Sequence, residues 1–239
     1  MADIRDGSVN ELLLARAKRQ AEALINADPA EGHIALSAIA ALRWDVADAE
    51  QHVNTALRYE RSVGMLCNAI TTFEFLNRSD LARPHAIAAI TKAPSDREVA
   101  RQAITSLLSG GYVRDAARWG NPFEENDFKT SLEFNPVELV EALDELGVTE
   151  EHVRSLLSVA QNILRSQKRR SREFGIYPDR DPDGGMAVAY EIGFVGTLED
   201  EFALEEELSE GLGNLEGWNP AKMTVHFKYL SVDDASAAD

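Results

Sequence analysis

Apolar side chains return every three or four positions through most of this chain, and at every second position only near its end. Over residues 9–26, Leu13, Ala17 and Leu24 make one apolar face of a predicted amphipathic helix, capped by Ser8 or Asn10. Asp28-Pro29 is a strong start signal, an N-cap followed by a proline at the first helical position. Helices are predicted over 30–43 and 46–60, then from Ser62, and then to Lys92, where Ala93-Pro94 breaks the pattern. Ser95 and Glu98 have capping-box spacing, and the helix they open stops at Gly110-Gly111.

These helices carry a repeat. Leu36-Ser37, Ile70-Thr71 and Ile104-Thr105 are 34 residues apart, and so are the start signals Asp28, Ser62 and Asp96. Two independent features with one period predict a row of helical hairpins. The unit resembles a tetratricopeptide repeat, whose 34 residues form a helix–turn–helix. Leu36-Ser37 stands where that family has its Leu-Gly pair, and Ala49, Val53 and Ala56 stand at its small or apolar positions. The second unit departs with Arg83 at a small-residue position, and Gly120-Asn121-Pro122 is expected to cut the third unit's second helix short. The resemblance implies a solenoid whose first helices line a concave groove for a protein or peptide. Ile34, Ala38 and Ala41, then Asn68, Thr72 and Phe75, then Arg101, Gln102 and Ser106 are expected near that groove.

Beyond the repeat the pattern changes twice. Residues 120–134 have no clear period and read as a loop. Asn135-Pro136 caps a helix ending at Gly147, and Thr149 opens another that runs to Gly175, with Val153, Leu156, Leu157, Ala160, Ile163 and Leu164 on one face. Residues 175–185 read as loop and 186–196 as a strand. An acidic helix follows with Phe202, Leu204 and Leu208 inward. A second strand at 222–232 alternates Met223, Val225, Phe227 and Tyr229 against Thr224, His226, Lys228 and Leu230. Two strands alone are marginal, so the preceding helix supports the sheet, a third strand lies hidden in 120–134 or 172–178, or a partner chain completes it. The expected fold is mostly α: a helical-hairpin domain over 1–120, a helical pair over 135–174 capping it, a small acidic strand-helix-strand domain over 175–232, and a disordered tail over 233–239.

Composition narrows the function classes. With 41 acids against 24 bases the net charge is −17, which opposes direct binding to nucleic-acid phosphates. From Asp181 to Glu216 there are eleven acids and no Lys or Arg, while Arg165, Lys168, Arg169, Arg170 and Arg172 cluster just before. That basic cluster reads as a solvated helix end facing those acids. No apolar run spans a bilayer, the first residues lack a signal-peptide layout, and the single Cys67 excludes an intramolecular disulfide, so the expected location is the cytoplasm.

Candidate chemistry is sparse. Asp179, Asp181 and Asp183 with Gly184 place carboxylates at alternate positions around a turn, the arrangement of a calcium loop. Position twelve of such a loop needs glutamate and here holds Tyr190, so an ordinary polar turn competes with a calcium site; no other cofactor is implied. The five histidines form no ligand pair, and P-loop, dinucleotide and nucleophile-elbow patterns are lacking. The preferred expectation is a non-catalytic interaction adaptor or regulatory module. It would grip a protein or peptide through the groove, with Glu199, Asp200, Glu201, Glu205, Glu206 and Glu207 as a second, acidic contact. Two alternatives are an acidic inhibitor that fills a basic nucleic-acid channel on another protein, and a calcium-regulated module or small enzyme using the Asp loop. No membrane is expected, and self-association stays open.

Overall fold

Local chemistry sets most helix starts. Asn10, Asp28, Asp45, Ser62, Asp96, Asn135, Thr149 and Thr197 each stand at an N-cap, with a side-chain oxygen accepting a first-turn backbone N–H. The computed structural model describes residues 10–124, 135–180 and 186–231. The helices are α1 (Glu11–Leu24), α2 (Pro29–Leu42), α3 (Val46–Tyr59), α4 (Val63–Phe75), α5 (Ser79–Lys92), α6 (Arg97–Ser109), α7 (Val113–Glu124), α8 (Pro136–Leu146), α9 (Glu150–Ser166) and α10 (Leu198–Gly213). The strands are β1 (Ser171–Arg180), β2 (Met186–Val195) and β3 (Met223–Leu230).

Helix ends repeat as regularly as starts. Helices α2, α4, α6, α8 and α9 each end in a left-handed residue: Trp44, Asn77, Gly111, Gly147 and Lys168. The next N–H reaches back to a carbonyl of the last turn: Asp45 to Ala40, Arg78 to Phe73, Tyr112 to Leu107, Val148 to Leu143 and Arg169 to Leu164. The same reversal therefore closes α2, α4 and α6, the first helices of the three hairpins, and recurs at α8 and α9, whatever residue occupies the left-handed position.

Helices pack consecutively as hairpins, α2 with α3, α4 with α5 and α6 with α7, and the first helices also stack, α2 on α4 on α6. The fold is a helical repeat followed by a small sheet. Between α2 and α4 the Ser37 hydroxyl meets the Thr72 hydroxyl at 3.4 Å. Between α4 and α6 the Gln102 amide donates to the Cys67 carbonyl at 3.1 Å and the Thr71 hydroxyl at 2.9 Å. Separate small cores hold α1 to α2 (Leu14, Ala21, Leu36, Ile39) and α2–α3 to α4 (Ile34, Val53, Met65, Phe73). A much larger core starts at Leu66 and Ile70 on α4 and runs without a break through α5–α9, α10 and the sheet.

The sheet has the order β1-β2-β3, with β1–β2 antiparallel and β2–β3 parallel. A parallel pair needs a crossover, and α10 supplies it. On β2, Val188, Tyr190, Ile192 and Phe194 are all buried.

Phe202, expected inward on the acidic helix, is exposed, and α6 is capped by Asp96 rather than opened by Ser95. Three larger expectations are also corrected. First, α7 does not stop at Gly120-Asn121-Pro122 but runs to Glu124. Gly120 is a contact point, because a Cβ there would stand 3.3 Å from Pro136 at the start of α8, so packing outweighs helix propensity. Second, α9 ends at Ser166, well before Gly175, and residues 171–180 are β1, the third strand of the sheet: the helix end and loop are corrected, and of the ways to complete the sheet it is the strand hidden in 172–178 that forms. Lys168, at φ 53°, reverses the chain in the left-handed conformation that Gly or Asn usually supplies. Third, the alternation on β3 slips at its end: Tyr229 is exposed and Leu230 is buried, lying against Gly193 of β2.

Candidate binding cleft

Helix α9 buries Val153, Leu156, Leu157, Ala160, Ile163 and Leu164 in the large core. Its flanking stripe is small and polar: Ser155, Ser158, Gln161 and Asn162, with Arg154 and Arg165 beside it. That stripe faces the turns that join α4 to α5 and α6 to α7, and beyond them the segment between α10 and β3. Three hollows lie along it, neighbours sharing lining residues.

At the N-terminal end of α9 lies a pocket of about 410 Å³. Its walls include Val148, Leu156, Leu215, Trp218 and Met223, and its rim carries His152, Glu216, Asn219 and Lys222. The rim is held in place. The Lys222 ammonium donates to the Leu146 carbonyl at the end of α8 at 2.7 Å, and the Trp218 indole N–H donates to the Met223 carbonyl at 3.1 Å. His152 belongs to the capping box of α9, where its Nδ1 accepts the Thr149 N–H at 3.4 Å. That bond leaves the neutral ring's proton on Nε2. Nε2 faces Gly217, where glycine is favoured twice over: φ is 78°, and a Cβ there would stand 3.3 Å from the ring nitrogen.

Midway, the hollow widens to about 760 Å³ and becomes polar. Arg78 and Asp80 pair through two bonds of 2.7 and 2.6 Å. Arg165 donates to the Asn77 carbonyl at 3.2 Å and to the Asn162 side chain. Burial and the charge of Arg78 lower the pKa of Arg165. The Arg154 guanidinium lies 5.8 Å from the centre of the Tyr112 ring, and Arg83 lies 4.7 Å from it. The approach is tight at Gly111, whose absent Cβ would stand 3.0 Å from the Arg154 backbone nitrogen.

The third hollow, about 150 Å³, lies where β1 crosses the ends of α4 and α6. Gln161 separates it from the second by donating to the Ser79 hydroxyl at 2.7 Å and the Ser109 carbonyl at 2.9 Å. Asn77 ties β1 to the repeat: its amide donates to the Arg169 carbonyl at 2.7 Å and its side-chain oxygen accepts the Ser171 N–H at 3.3 Å. Glu74 sits in this wall. Burial pushes its carboxyl up to about 7, against the downward pull of the Ser106 hydroxyl and the Arg170 guanidinium. Ser106 is 1% exposed, and its hydroxyl has no well-formed hydrogen bond among the described residues. The Arg170 guanidinium lies 5.3 Å from the centre of the Phe75 ring.

The residues singled out from sequence fall elsewhere or only touch the cleft. On the inner helices Asn68 is exposed, and Arg101 is exposed and pairs with Glu98 at 2.9 Å. Thr72 is buried and donates to the Asn68 carbonyl, Gln102 bridges α4 to α6, and Phe75 packs on Trp44 and under Arg170. Ile34, Ala41 and Ser106 are buried between helices. Of the six acids singled out on α10, four are engaged within the chain. Asp200 pairs with Arg169 and caps the helix, Glu207 accepts from Gln167 at 2.8 Å, and Glu201 and Glu205 accept the Tyr229 and Phe227 backbone N–H groups of β3. Glu199 and Glu206 are exposed. Asp179 contributes its backbone to β1, while its side chain, Asp181 and Asp183 lie outside the described residues. Among the described residues no group of three or more His, Cys, Asp or Glu converges as a metal site, and no helix is long and apolar enough to cross a membrane.

The polar stripe of α9 was present in the sequence at spacings of three and four residues, but such a stripe reads as a solvated face. Only the turns packed opposite make it a wall. Comparison of the chain with protein families, with curated proteins and with solved structures finds no match.

Proposed function

We propose that this protein is a non-catalytic interaction adaptor of the cytoplasm, built on degenerate tetratricopeptide-like hairpins, and that it holds a partner protein in the cleft along α9. One observation carries the reading: a pocket of about 410 Å³ with an apolar floor adjoins a polar cleft of about 760 Å³, with Ser155 and Leu215 lining both. An apolar floor with a few fixed polar groups on its rim suits the capture of a partner's side chains. The hairpins supply the scaffold, and the junction with the sheet supplies the recess. The acids of α10 contribute less to such an interface than their number suggests, since four of them serve the chain's own structure.

Ser155 is exposed and borders both hollows, so Ser155→Trp fills the cleft without touching the core. Asn68→Trp alters the exposed surface of α4 instead, where the repeat resemblance implies a groove. Affinity capture from the native cell with wild type and both variants separates the two surfaces. The expected result is a partner retained by wild type and Asn68→Trp and lost from Ser155→Trp. If Ser155→Trp retains the same partners as wild type, the cleft is not the binding site. If wild type retains none selectively, the adaptor reading falls.

A further inference from the structure

We propose that the middle of the α9 cleft is a phosphate-monoester site, with Arg154 and Arg165 as its principal ligands. The proposal deepens the adaptor reading and rests on it only in that the same cleft is used. Three guanidiniums, those of Arg78, Arg154 and Arg165, line this hollow in a chain whose acids outnumber its bases by 41 to 24. With carboxylates so abundant, guanidiniums in a recess would be expected to pair with them. Arg78 does, with Asp80. Among the described residues, neither Arg154 nor Arg165 has a carboxylate within ion-pair distance. Arg165 is held by a carbonyl and an amide, and the Arg154 guanidinium lies over the Tyr112 ring.

The carboxylates on this hollow, Asp80 and Glu151, do not neutralise the cluster: three cations face two anions, one of them already bonded to Arg78. Desolvation and Arg78 act against the charge on Arg165, and Asp80 offsets them only in part, so an anion placed between the guanidiniums favours the charged form further. The donor supply also selects the anion. Beside the guanidiniums stand the hydroxyls of Ser155 and Ser158 and the amide of Asn162. A carboxylate offers two oxygens to these groups and a phosphate monoester three, and guanidinium forks bind phosphate in a bidentate manner. Arg154 is exposed and is positioned to meet the ligand first, and Arg165 lies deeper in the recess.

The test follows melting temperature while inorganic phosphate is titrated against chloride at matched ionic strength. It uses wild type, Arg154→Ala, Arg165→Gln (which retains a donor for the Asn77 carbonyl) and Arg58→Ala on α3 as a distant control. Wild type and Arg58→Ala should show a saturable rise with phosphate beyond that with chloride. Arg154→Ala should need about tenfold more phosphate for the same rise, the loss expected for one charge-assisted hydrogen bond. Arg165→Gln should shift in the same direction. The inference is overturned if chloride matches phosphate in wild type, or if Arg154→Ala responds as wild type does. O-phosphoserine and adenosine monophosphate titrated in the same assay separate a partner-borne phosphate from a small phosphorylated molecule, and tighter binding of either one supports the site. A partner lost in Ser155→Trp together with no phosphate response sinks this inference and leaves the adaptor reading intact. A phosphate response in a protein that retains no partner does the reverse.

Discussion

Glu74 shows how a single carboxyl records its surroundings. Its neighbours Ser106 and Arg170 favour the charged form, yet burial outweighs both and lifts the pKa from 4.5 to about 7. Between those two values the folded chain keeps a proton that the unfolded chain has released. The contribution of Glu74 to stability therefore falls as pH rises from about 4.5 to about 7 and is level above that range. Glu74→Gln removes the penalty. Urea unfolding should show the variant more stable than wild type at pH 8, by on the order of 1–3 kcal/mol, with the difference shrinking toward zero at pH 4. A difference independent of pH would show that Glu74 is not held protonated by burial. Nothing in the residues around Glu74 in sequence announces this, because Ser106 arrives from α6 and Arg170 from beyond α9.

At the scale of elements, α10 and β3 form a pair whose polar contacts protect the sheet. An edge strand presents unpaired N–H groups that recruit other strands. Here Glu201 and Glu205 accept the N–H groups of Tyr229 and Phe227, so the acidic helix covers part of the edge of β3. Replacing both glutamates with alanine should speed hydrogen exchange at those two amides by about tenfold or more and raise self-association in light scattering. Unchanged exchange would show that these amides are protected by other means. The elements themselves were unequally legible. Asp28, Ser62 and Asp96 cap α2, α4 and α6 as their spacing in sequence predicts, because an N-cap depends on a side chain and the backbone two or three residues on. β1 was not legible. Its Pro178 and Asp179 are turn residues by type, and only pairing with Ala187 to Phe194 on β2 makes the segment a strand.

Across the whole molecule, the cores grade from small to large. The contacts of α1 and α2 rest on a few side chains such as Leu14, Ala21, Leu36 and Ile39, whereas α4 through β3 share one apolar body. Repeat arrays lose neighbours first at the end with the weakest interface. Native-state hydrogen exchange should therefore show protection rising from α1 through α3 to α4, with α4–α9 and β2 opening together at the highest free energy. Separate opening of the sheet and of α4–α6 would contradict a shared core. The cleft belongs to this scale as well. Ser155, Gln161 and Arg165 are consecutive features of one helix, but Ser79, Ser109 and Leu215 come from three other places in the chain.

The sequence by itself determined the helical hairpins, their period, their starts, the mostly α class and the small sheet near the end, since each depends on residues a few positions apart. Tertiary structure alone decided the rest. It carried α7 through Gly120 by pressing Pro136 against it, turned residues 171–180 into a strand, and drew the α10 glutamates to the chain's own backbone. It also made a cleft from a polar stripe on α9. In every case the deciding partner lies too far along the chain for any local pattern to register it.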